Sequence, residues 1–95
     1  MIELINELRS SLEVYRSSQV YILNQTTRIF IARLCVAVCL AEVAYLEGRH
    51  ITKEEEFWFA GDQILMREFD NDVWADIFTN YLHLKTELKN RKLLY

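Results

Sequence analysis

The chain has 95 residues, is 52% hydrophobic and 26% charged, and carries a net charge of −3. That balance excludes a disordered segment and argues against a general nucleic-acid binder, which presents a basic face. One domain, 1–95, is expected from the length, and no Pro with only two Gly favours long helices over a turn-rich sheet.

The first predicted helix starts at Ile2. Leu4, Ile5, Leu8, Leu12, Tyr15, Ile22 and Leu23 share one arc, broken by Gln19, and polar residues take the other face. Its end is open to three readings. Asn24–Thr27 reads as a turn with Thr26 or Thr27 as the next N-cap; Ser17–Ser18 is a second candidate. A continuous helix from Ile2 to Glu47 would reach roughly 70 Å at 1.5 Å per residue, tenable only in an oligomer.

The stretch from Ile29 to Leu46, interrupted only by Arg33 and Glu42, is the apolar centre of the chain. As a helix it has two apolar sides. One carries Phe30, Ile31, Leu34, Val38, Ala41 and Tyr45; the other carries Ile29, Ala32, Val36, Cys39, Leu40 and Val43. Such a helix is expected to be covered from two directions. It is long enough to raise a membrane span, but Arg33 and Glu42 each cost about 2.5–3.5 kcal/mol near a bilayer centre, so no span is expected. Cys35 and Cys39 share a helix face and are poorly aimed for a disulfide. Buried free thiols, and with them a reducing, cytoplasmic setting, are expected, and the N-terminus lacks a signal-peptide pattern.

Gly48 is placed as the C′ residue that closes the central helix. Thr52-Lys53-Glu54-Glu55 matches a capping box and opens a third helix. Its core arc takes Phe57, Trp58, Ala60, Gly61, Ile64, Leu65 and Phe69, leaving Phe59 and Met66 on its back. Asp70-Asn71-Asp72 makes the next turn, and a fourth helix runs from about Asp72 to the C-terminus on a Val73, Trp74, Ile77, Phe78, Tyr81, Leu84, Leu88 stripe. Leu93, Leu94 and Tyr95 form an apolar tail, free to fray or to dock on a second chain. The expected fold is all-α: a small bundle of four amphipathic helices, three if the first two are continuous, around a central apolar helix.

The catalytic inventory is thin. His50 and His83 join no triad-like pattern, and there is no phosphate loop or metal motif. Paired carboxylates such as Glu55 and Asp62 lack the His that a di-iron bundle requires. A non-enzymatic protein without metal or cofactor is expected. The charge is segregated: residues 1–50 are neutral, 51–76 carry net −6 and 77–95 carry net +3. Within the acidic segment, Phe59 and Met66 form an apolar strip flanked by Glu55, Glu56 and Asp62. Apolar anchors rimmed by carboxylates suit a basic protein partner, the physical type of nuclease inhibitors, toxin-immunity proteins and phage-encoded defence inhibitors. Tyr45-Leu46-Glu47-Gly48 with Ile51-Thr52 and Phe57 resembles the helix–Gly–Ile–Thr–helix segment of colicin-D-type immunity proteins; it is a C-cap followed by an N-cap and carries over no functional residue.

Two other readings compete. Arg28 and Arg33, with Tyr45 or Tyr21, could line a pocket for a small anionic ligand between helices or subunits. The tail could instead serve a structural assembly subunit. A homodimer or higher oligomer is expected in each case, because the two-sided central helix needs a second layer.

Overall fold

A computed structural model of the chain describes residues 1–17, 25–60 and 72–94, with the backbone alone at 26, 27 and 72–74. The protein is all-α. Among the described residues there are three α-helices, α1 (Ile2–Arg16), α2 (Gln25–Glu47) and α3 (Asp72–Asn90), with a 3-10 helix (Glu55–Phe59) between α2 and α3. The expected third α-helix is corrected over its described part: it is this 3-10 helix, which ends at Phe59 where Ala60 turns extended (φ −100°, ψ 170°), and Asp62, Met66 and the rest beyond Ala60 lie outside the described residues. So do Tyr21 and the Ile22–Leu23 end of the first predicted arc.

α1 is shorter than expected. It stops at Ser17, whose amide and hydroxyl both donate to the Glu13 carbonyl (3.2 and 3.0 Å), so the Ser17–Ser18 reading of its end is the better one. α2 is already helical at Gln25, one residue before the expected caps at Thr26 and Thr27. It closes where predicted. Gly48 has φ +65°, and the Arg49 amide reaches back to the Ala44 carbonyl (3.1 Å), the six-to-one bond of a Schellman cap. α3 begins at Asp72 as expected but ends at Asn90 rather than at the terminus. Its cap has the same form without a glycine: Lys92 takes φ +59°, and the Leu93 amide donates to the Leu88 carbonyl (2.9 Å).

One core joins the three helices. α1 contributes Ile5, Leu8, Leu12 and Tyr15; α2 contributes Ile31, Leu34, Ala37, Val38, Ala41 and Ala44; α3 contributes Ile77, Tyr81, Leu84 and Leu88. α1 packs against both other helices, and the 3-10 helix packs against α2. Polar contacts tie α1 to both other helices: Arg9 forms a forked pair with Glu42 of α2 (2.8 and 3.2 Å), and the Asn80 amide of α3 donates to the Ser11 hydroxyl (2.6 Å). The shared charge-assisted bond raises the Arg9 guanidinium and lowers the Glu42 carboxyl from their ordinary values.

Within one chain α2 is covered on one side only. Its Ile31–Leu34–Val38–Ala41 side is buried, whereas Ile29, Ala32, Val36, Cys39, Val43 and Leu46 are exposed. The reason lies in the inward small residues: Ala37, Ala41 and Ala44 let neighbours approach closely on that side, so α1 and the 3-10 helix both use it. The thiols follow. Cys39 is exposed and Cys35 half-buried, both free, in place of two buried thiols; partial burial pushes the Cys35 thiol upward. From Arg28 to Glu47 the helix has mean hydropathy 2.2, long and apolar enough by length and composition to cross a membrane, with a third of that stretch buried in the protein.

The C-terminal tail turns inward. Leu94 is buried, and the Leu93 carbonyl accepts the Ile51 amide (2.7 Å). Leu93 and Leu94 thus pack on their own chain, and Tyr95 lies outside the described residues.

Candidate functional site

The connection from Gly48 to Ala60 is built around one arginine. Arg49 donates from Nη1 and Nη2 to the two oxygens of Glu55 (3.0 and 3.3 Å), from Nε to Glu47 (3.1 Å), and from Nη1 to the His50 carbonyl (3.1 Å). Glu55 also accepts the Thr52 amide (3.0 Å), while the Thr52 hydroxyl accepts the Glu55 amide (3.2 Å). This is the expected capping box, reinforced from outside by Arg49. A carboxylate holding that many donors is favoured in its charged form. The Arg49 guanidinium first, and the Thr52 amide second, bring the Glu55 carboxyl down from 4.5 to about 2. Glu55 is thus committed to holding the loop.

The tight winding of the 3-10 helix sorts three consecutive aromatics. Phe59 is 3% exposed and belongs to the core; Trp58 is half-buried; Phe57 is 58% exposed. This reverses the expectation that Phe57 is core and Phe59 surface. An α-helical wheel steps 100° per residue and a 3-10 helix 120°, so the inward position shifts along the segment. The Tyr81 hydroxyl holds the buried end by donating to the Phe59 carbonyl (2.8 Å).

Phe57 is exposed but not loose. The Arg33 guanidinium lies 4.2 Å from its ring centroid and donates from Nη2 to its carbonyl (2.6 Å). Trp58 packs edge-on against Phe57, centroids 5.6 Å apart at 79°, and 6.0 Å from Arg33. Glu54, three residues before Phe57, is exposed, and Glu56, the residue before it, is half-exposed. The result is an ordered aromatic pair in an acidic stretch of the chain. A signal for it was present in the sequence: Arg33 stands alone on an apolar helix and needs partners.

The residues of the anionic-ligand reading are not brought together. Arg33 is engaged with Phe57. Tyr45 lies twelve residues further along α2, roughly 18 Å at 1.5 Å per residue, and carries Arg91 of the α3 end over its ring (5.5 Å). Arg28 is exposed near the start of α2. A groove of about 630 Å³ does lie between α1 and α2, but its lining includes Arg9, Glu13, Arg16, Cys35 and Cys39 and none of those three residues.

No family model, curated protein or solved structure matches the chain.

Proposed function

We propose that the chain is a non-enzymatic protein-binding module, of inhibitor or adaptor type, whose contact surface is the Phe57–Trp58 pair with Glu54 and Glu56 at its rim. The observation that carries this reading is Phe57: a large apolar ring, 58% exposed yet fixed by the Arg33 stack and hydrogen bond. An apolar anchor held in place before contact loses little freedom on binding, and aromatic anchors dominate interface energetics. The acidic rim steers toward a basic partner. Phe57 thereby takes the anchor role that the sequence pattern assigns to Phe59.

The test is affinity capture from the native host with immobilised wild-type protein, Phe57→Asp and Glu54→Lys/Glu56→Lys. Wild type is expected to retain a basic protein that both variants lose. Retention by Phe57→Asp at wild-type level, or no protein retained by wild type, would sink the proposal.

A further inference from the structure

We infer that the outward face of α2 is a contact between two copies of this chain, packed antiparallel. The exposed residues Ile29, Ala32, Val36, Cys39, Val43 and Leu46 are spaced 3, 4, 3, 4 and 3 apart. This is the a/d repeat of a coiled-coil seam, sustained over about 26 Å at 1.5 Å per residue. The buried positions of the same helix follow a different arc, so the repeat is not a by-product of the core. At its ends Ile29 is 61% and Leu46 68% exposed.

The identity and direction of the occupant follow from the seam itself. In an antiparallel pair each a residue faces a d residue of the other helix. Ile29 then meets Leu46, Ala32 meets Val43, and Val36 meets Cys39, so every small residue faces a larger one, as close packing requires. A parallel pair would set Ala32 against Ala32 and leave a gap. Charge bears on the direction. Arg28 and Arg33 flank the N-terminal half of the seam, whereas Glu42 and Glu47 at the C-terminal half already hold Arg9 and Arg49. Antiparallel packing keeps the arginines of the two copies at opposite ends, whereas parallel packing sets like charges together. A two-fold axis through the Val36–Cys39 layers generates both halves of the contact from one surface. Phe57 and its rim lie outside the repeat, so this inference stands apart from the binding surface above.

The test is the mass in solution by light scattering and sedimentation, with circular dichroism as the check on folding. Wild type is expected at twice 11.4 kDa. Val43→Asp and Leu46→Glu, both at exposed positions, are expected at the monomer mass with unchanged helicity. Val36→Cys in a Cys35→Ser background is expected, on mild oxidation, to form a disulfide-linked dimer joining position 36 of one copy to Cys39 of the other. Wild type at 11.4 kDa at every attainable concentration would overturn the inference, as would a dimer that survives both charged variants. In a Leu46→Cys variant that also carries Cys35→Ser and Cys39→Ser, a crosslink joining position 46 of one copy to position 46 of the other would overturn the antiparallel direction. Monomeric wild type that binds phosphatidylcholine vesicles, with binding lost in Val43→Asp, would assign the face to lipid instead.

Discussion

The Tyr81 hydroxyl and the Phe59 carbonyl meet at 2.8 Å inside the protein, and this one bond joins α3 to the end of the 3-10 helix. Both residues are buried, so the carbonyl depends on that donor. Tyr81→Phe keeps the ring and removes the donor. The expected cost is about 1–3 kcal/mol, the penalty for an unsatisfied buried acceptor, read as a lower denaturant midpoint with unchanged slope. An unchanged midpoint would show that the carbonyl finds another donor.

Phe57 and Phe59 should respond oppositely to the same substitution. Phe59→Asp buries a charge with no partner and is expected to abolish cooperative unfolding. Phe57→Asp alters an exposed ring and is expected to keep the helical circular dichroism of wild type. Equal loss of structure in both would contradict the placement of the three aromatics.

Glu55 predicts an acid-sensitive step. Its carboxyl sits at about 2 in the folded protein against an ordinary 4.5. A carboxyl lowered by folding stabilises the folded state in full above its unfolded value, and the contribution fades as pH falls from about 4.5 through about 2. Glu55→Gln removes that dependence. Melting temperatures between pH 5 and pH 2 should therefore converge for the two proteins, wild type being the more stable only at the upper end. A constant difference across the range would refute this. Thr52→Ala, which breaks the other half of the box, is expected to cost about 1 kcal/mol.

Lys92 holds a left-handed conformation, φ +59°, that disfavours a side chain. Lys92→Gly should raise stability by about 1 kcal/mol, since glycine adopts this region without the steric penalty. The check is a chemical denaturation curve; a lower midpoint would mean that the lysine side chain contributes more than its backbone costs.

What was legible beforehand is local. The Thr52–Glu55 box and the Gly48 cap depend on residues three to five apart, and both stand as read. The buried arc of α1 and the stripe of α3 were also visible, because each helix has only one apolar side. α2 was ambiguous for the opposite reason: both sides are apolar, and which one is covered depends on where α1 and the 3-10 helix settle. The alanines at 37, 41 and 44 were the available clue. The Phe57–Phe59 exchange is hidden from an α-helical period because the segment winds more tightly. The α3 cap is hidden because Lys92 takes a position that sequence patterns reserve for Gly or Asn.

The hydrogen bond from the Ile51 amide to the Leu93 carbonyl joins two segments outside any helix, more than forty positions apart in the chain. Ile51 is itself buried, and so is Leu94 beside the acceptor. Its amide proton can therefore exchange with solvent only when the C-terminal strap lifts away from the α2 exit. In deuterium oxide, Ile51 should retain its proton on the timescale of the core helices, unlike an ordinary loop amide.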